Sequence, residues 1–321
     1  MALTWLARSV RAGARAAAAL ALACGCAFAQ PAAVVTDVQG PAAMANAAGA
    51  PIAILQTLGA GDRVRLAAGA RVALLFYADG AQYDARGPGE ITLDAQRPRA
   101  SSGAVVQARA ATAPSAMRLK PGGLVQGALV MRNLGLRVVA PDPQVLSPRP
   151  ELAWTDSRTG TVYDVAVIDA AGARAFEQTT AARTTQIPES RALLPGQSYA
   201  LQVTARIGDQ VVQVARAEFR VASADLQAQA KALAPSNDAP VADRVAYALW
   251  LEQNDLRDEA RRWWAAAAQS RPEQGSLQER VKEIYLAFCA IGRQQQKVSG
   301  NAFQKAILLE RPRKSCECFV H

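Results

Sequence analysis

Between residues 34 and 93 apolar side chains recur at every second position, at Val64 and Leu66 and again at Val72, Leu74 and Phe76. That is the period of strands that bury one face. Asp79-Gly80 predicts a hairpin turn between two such stretches, because glycine accepts the positive φ that the turn demands. Gly40, Gly49, Gly61, Gly69, Gly87 and Gly89 divide the rest into pieces of strand length, so the stretch reads as a small β domain. Residues 94–140 continue it as peripheral strands, with Ser101-Ser102-Gly103 and Pro121-Gly122-Gly123 marking loops. Pro141, Pro143, Pro148 and Pro150 then stiffen a linker over residues 141–150.

A cleaner alternation follows over residues 151–222. Tyr163, Val165 and Val167 share one face, as do Tyr199, Leu201 and Val203, while Gln202 and Thr204 point the other way. Turns recur at Ala171-Gly172, Pro195-Gly196 and Gly208-Asp209, and the segment predicts an antiparallel sandwich with Trp154 in its core. After Ala222 the period becomes helical over residues 223–291, with helices expected at 240–253, 256–269 and 277–290. Pro240 marks the start of the first, Asp255 is placed to cap the second, and Ser276 with Glu279 predicts a capping box on the third.

Val34 to Leu93, through Gly40, Leu58, Gly61-Asp62, Gly69-Ala70-Arg71, Leu74-Leu75-Phe76, Asp79-Gly80 and Gly87-Pro88-Gly89, resembles the FecR-like domain family. The resemblance covers about sixty residues of turn and core positions; it implies a periplasmic β-rich module and transfers no catalytic residue. Regulators of that family carry a membrane span ahead of the domain, where this chain carries a signal-like segment. Residues 152–221 are similar to the fibronectin type III and immunoglobulin-like families, though the spacing is generic. Val245, Leu249, Leu256, Ala260, Trp264 and Ala267 are similar to one tetratricopeptide unit. A single unit does not build a groove, so the helices read as an appendage packing on the sandwich or on another subunit. The fold class that follows is mainly β: a small FecR-like β domain plus an immunoglobulin/fibronectin type III-like β-sandwich, with a short α-helical C-terminal region.

Arg8, Arg11 and Arg15 precede the apolar run from Ala16 to Ala23, and Ala27-Phe28-Ala29 supplies small residues for cleavage, so residues 1–29 read as a secretory signal. The expected location is periplasmic; the alternative is a lipoprotein anchored through Cys24. No stretch approaches the ~20 apolar residues of a membrane-spanning helix. The net charge of +9 resides largely in that signal and in a basic tail over residues 292–321, where Arg293, Lys297, Lys305, Arg311, Arg313 and Lys314 face only Glu310 and Glu317. The body between is close to neutral and lacks a basic stripe interleaved with aromatics, which argues against nucleic acid. The tail reads as disordered.

His321 is the only histidine, which excludes a Ser-His-Asp triad, a HExxH zinc site and a histidine base in the folded body. Cys316, Cys318 and His321 lack the spacing of a zinc knuckle, and no cofactor or metal is expected. Asp258 and Glu259 are adjacent on a helix beside Arg261 and Arg262 and read as a solvated face. Trp263 is the candidate partner contact, because Trp263 and Trp264 cannot both point into one core stripe. These features point to a non-enzymatic binding or scaffold protein for an envelope protein or peptidoglycan. The alternatives are an accessory sensor in a transmembrane signalling pathway and, further off, a glycan hydrolase working through two carboxylates.

Overall fold

The computed structural model describes residues 30–45, 49–109, 117–120 and 135–283. The expected signal segment at residues 1–29, the end of the third expected helix and the tail with its cysteines and histidine lie outside the described residues.

The chain is mainly β. Its first nine strands form two antiparallel sheets. One runs in the order β3 (Thr57–Gly59), β1 (Pro31–Gln39), β5 (Arg71–Phe76), β6 (Gln82–Arg86), β9 (Val105–Ala108). The other runs β2 (Ala42–Met44), β4 (Arg63–Leu66), β7 (Gly89–Leu93), β8 (Pro98–Ser101). β4 alternates as the sequence predicts, with Val64 and Leu66 buried and Arg63 and Arg65 exposed. The Asp79-Gly80 hairpin joins β5 to β6; Gly80 takes φ 74° and the Asp79 carboxylate accepts from the Ala81 N–H at 2.9 Å.

One feature differs from the single buried face expected of these strands. β1 is buried from Ala32 to Val38, and Ala73 and Leu75 of β5 are as buried as Val72, Leu74 and Phe76. The second face is covered by the C-terminal helices: α1 (Ala224–Leu233), α2 (Val241–Gln253), α3 (Arg257–Ser270) and a helix described over residues 275–283. α2 lies against β1, and Val245, Leu249, Trp264 and Leu277 share one continuous apolar core with Val35, Leu75 and Phe76. The helices therefore pack on the first β domain rather than on the sandwich, since two adjoining strands rich in valine, alanine and leucine on both faces need a cover.

Ion pairs bind the edges of this contact. Arg271 at the end of α3 grips Asp37 of β1 through Nε and Nη2, at 3.3 and 3.2 Å. Arg109 bridges Asp243 of α2 (3.1 Å) and Asp84 of β6 (3.6 Å), and Arg71 pairs with the same Asp84 oxygen. The Gln253 amide pairs with the main chain of Lys120 in both directions. Neither expected cap forms on these helices. Leu256, not Asp255, occupies the N-cap of α3, and Ser276 lies inside a helix that has begun by residue 275. Glu279 pairs instead with Lys282.

Between the two halves of that unit the chain builds a two-sheet sandwich with its own core. A three-stranded sheet, β10 (Arg137–Ala140), β12 (Glu151–Thr155), β15 (Thr184–Gln186), faces a five-stranded one. The latter runs β11 (Gln144–Val145), β17 (Gln210–Val221), β16 (Ser198–Ile207), β13 (Val162–Asp169), β14 (Arg174–Thr180). Residues 137–140 and 144–145, which the sequence pattern assigns to the first domain and the linker, thus pair with sandwich strands. The alternation in β13 and β16 is as expected, with Tyr163, Val165, Val167, Leu201 and Val203 buried. Trp154 is buried edge-on to Tyr163 at 5.3 Å. Tyr199, at the start of β16, reaches back so that its hydroxyl accepts from the Leu194 N–H at 2.9 Å, closing the corner that leads into the strand.

Candidate functional site: a free sheet edge

A binding surface on a sandwich of this kind must come from groups that the fold leaves unused. Among the described residues the large exposed apolar side chains are Val105, Leu194, Ile207, Val211, Val212 and Val214, and four of these six lie on one hairpin. Gly208-Asp209 turns β16 into β17, with Gly208 at φ 58°, and Ile207, Val211, Val212 and Val214 surround that tip. Val211 keeps 59% of its surface and Val214 51%, well above what a packed strand leaves a valine.

The backbone there is also unused. β17 pairs with β16 along its length, but on its other side β11 reaches only Arg220 and Val221. Arg220 N–H donates outward to Pro143 and Ala222 N–H to Val145, whereas Val221 N–H donates inward to Gln197. By the alternation of a strand, the peptide groups of Val214, Arg216 and Glu218 also face outward, where no strand among the described residues hydrogen-bonds to them, although β10 lies alongside β17 and the Leu136 main chain bonds to the Gln213 side chain. A register shift opposite Ala205 and Arg206 bounds this free stretch at one end, and β11 bounds it at the other. Arg216 and Glu218 stand exposed on the outer face, and neither has a hydrogen-bond or ion-pair partner among the described residues.

Trp263, the residue singled out from sequence, lies on α3 and is half-buried. Its ring stands edge-on to Tyr247 at 5.2 Å, and Tyr247 in turn stacks on Trp250 at 6.0 Å. Trp264 is fully buried and its indole N–H donates to Glu252 at 3.1 Å. The two tryptophans do diverge, but both pack. Burial pushes the Tyr247 phenol up to about 12, and its hydroxyl donates to the Ala230 carbonyl at 2.9 Å.

The carboxylates beside Trp263 correct the expectation of a solvated face. Asp258 pairs with Arg261, while Glu259 turns inward, where burial raises its pKa and the Leu146 main chain bonds to it. Asp142 is raised as well, by burial opposed by Arg261, whose Nη2 lies 3.1 Å away. These groups join α3 to the segment that leads into β11, so their role is to hold the sandwich against the helical layer. Among the described residues no three His, Cys, Asp or Glu side chains are grouped to hold a metal ion, and no helix is long and apolar enough to cross a membrane.

Sequence reading missed the free edge. Val211, Val212 and Val214 were available as a signal, an apolar cluster directly after a Gly-Asp turn, but such a run reads equally as a buried strand. No family model and no curated protein sequence matches the chain.

Proposed function

We propose that the chain is an exported, periplasmic, non-enzymatic binding or scaffold protein that recognises an envelope protein or cell-wall polymer. The observation that carries this reading is the exposed cluster of Ile207, Val211, Val212 and Val214 at the tip of the β16–β17 hairpin. Such a cluster costs solubility when nothing covers it, and rigid scaffolds commonly present their contact residues on hairpins and loops of this kind. The signal-like segment at residues 1–29 and the resemblance of residues 34–93 to FecR-like domains support the compartment. The helical layer fits a bracing role in this reading, since its apolar side is occupied by β1 and β5.

The test is affinity capture from detergent-solubilised envelope together with sedimentation on isolated peptidoglycan, comparing the mature chain with the Val211→Ser/Val212→Ser variant. Capture of a defined envelope component or co-sedimentation that the variant loses supports the reading. Equal behaviour of the two proteins, both folded by circular dichroism, rejects the hairpin as the contact.

A further inference from the structure

A short strap, residues 142–146, belongs to both the sandwich and the helical layer. On one side its main chain is held by β17: the Arg220 N–H donates to the Pro143 carbonyl and the Ala222 N–H to that of Val145, each at 2.8 Å. On the other side it grips the helices. The Gln144 amide donates to the Asn254 carbonyl at the end of α2 (2.7 Å), and Asp142 pairs with Arg261 of α3 (3.1 Å). Adjacent side chains enter different cores, Val145 that of the sandwich and Leu146 that of the helical layer. Ala222 and Ser223 separate β17 from α1, a junction short enough to serve as a hinge once the strap lets go.

Glu259 sits where the strap lands on α3. The Leu146 main chain bonds to its carboxylate, yet Oε2 is buried and has no hydrogen-bond partner among the described residues. When Glu259 is ionised, that oxygen holds charge away from water; when it is protonated, the cost falls. The charged and titratable groups facing the joint are Asp142 on the strap, Arg257, Asp258, Arg261 and Arg262 on α3, and Tyr247 on α2. Arg261 pairs with both Asp142 and Asp258, and Arg257 with Asp255. Arg262 favours the ionised form of Glu259, while Asp142 opposes it from across the joint; burial outweighs both and pushes the Glu259 carboxyl up.

We infer that the strap is a proton-sensitive latch: with Glu259 protonated it holds the sandwich on α3, and with Glu259 ionised it releases the sandwich to turn about Ala222-Ser223. A carboxyl that binds its proton more tightly in the closed joint than in the open one closes the joint as pH falls through its raised range. The effect is complete once the ordinary carboxylate range is reached. β17 carries the motion outward, because it runs from Val221 at the joint to Val211 at the hairpin tip, a lever of roughly 30 Å at the rise of a strand. Opening the latch therefore moves Ile207, Val211 and Val212 relative to the first β domain. What the tip contacts has no bearing on the latch itself.

The experiment is small-angle X-ray scattering of the mature full-length chain, in steps from neutral pH down to the ordinary carboxylate range, with circular dichroism to establish that each sample is folded. The wild-type radius of gyration is expected to fall on acidification. Glu259→Gln is compact at every pH, because the amide cannot ionise, and Gln144→Ala/Leu146→Ser, with the grip of the strap cut, is extended at every pH. The rest of the chain titrates alike in wild type and Glu259→Gln, so a change that the substitution abolishes belongs to this carboxyl. A wild-type radius that stays constant overturns the inference, as does a Glu259→Gln chain that follows the wild type. A strap variant as compact as the acidified wild type overturns it too, by showing that other contacts hold the sandwich. Should the strap variant fail to fold, the comparison of wild type with Glu259→Gln decides alone.

Discussion

Arg271 and Asp37 are 234 positions apart in the chain, yet the guanidinium meets both carboxylate oxygens at 3.3 and 3.2 Å. The contact pins the end of α3 to β1, the strand with which the described chain begins, so the C-terminal helices and the first strand close over one core while the sandwich loops out between them. Asp37 is buried, and among the described residues its only other side-chain partner is the Gln39 amide at 2.8 Å.

Removing the guanidinium leaves that carboxylate buried and half-satisfied. Arg271→Ala is therefore expected to destabilise the chain by about 2 kcal/mol, the scale of a lost hydrogen bond to a charged group. Asp37→Ala on top of it should cost less than it does alone, because the pair is coupled. Urea denaturation of the two single variants and the double variant measures the coupling, and strict additivity would refute it.

Acidity acts with a definite sign on other contacts of the helical layer. Asp142, Asp243 and Glu259 all have pKa values raised by burial. A carboxyl raised in the folded state holds its proton more tightly there than in the unfolded chain, so stability rises as pH falls through the raised value and stops rising below the ordinary carboxylate range. Thermal melting is expected to improve as mild acidification carries these carboxyls through their raised range, until the ordinary carboxylate range is reached. Glu259→Gln should stabilise the chain at the upper end of that window and flatten its dependence. Asp164, lowered by its hydrogen bonds to Arg206 and Thr179, works the other way and loses its contribution only on further acidification.

The parts of this architecture that were legible in the sequence were local. β4 alternates because it has one wet face, and β13 and β16 alternate for the same reason. The same period hid the state of β5, where Arg71-Val-Ala-Leu-Leu-Phe76 is apolar on both faces. Counting Val72, Leu74 and Phe76 caught one face; Ala73 and Leu75 needed a cover that arrives some 170 residues later as α2. Nothing local names that partner, because burial on the second face is a long-range choice. The free edge was hidden for a related reason: whether a strand has a neighbour depends on topology, and β11 stops after two residues.

In the sandwich the Tyr199 hydroxyl is placed as a tie rather than as filler. Its ring packs on Phe219 with centroids 5.8 Å apart, so Tyr199→Phe keeps the packing and removes only the bond from the Leu194 N–H. The expected cost is about 1 kcal/mol, the net worth of one such hydrogen bond. Equilibrium unfolding of the variant checks it; a change indistinguishable from zero would mean that water replaces the hydroxyl.

Two glycines of the first domain separate torsional from steric demands. Gly69 sits at φ 76° with open space around the position a Cβ would take, so Gly69→Ala should cost only the left-handed backbone penalty, about 1 kcal/mol. Gly89 takes φ 147°, and a Cβ there would lie 2.2 Å from the Ala104 nitrogen and 2.5 Å from the Ser102 oxygen, both main-chain atoms. Neither can yield without moving the chain between β8 and β9 or breaking the pairing of β7 with β4, in which Gly89 stands opposite Leu66. Gly89→Ala is thus expected to cost more than ~3 kcal/mol, in the range of severe single-residue effects. It should lower the melting temperature of the first domain and its helical cover together, since the two share one core. Equal losses for the two alanines in a denaturation series would show that main-chain torsion alone sets the requirement for glycine, and that the close approach at Gly89 relaxes freely.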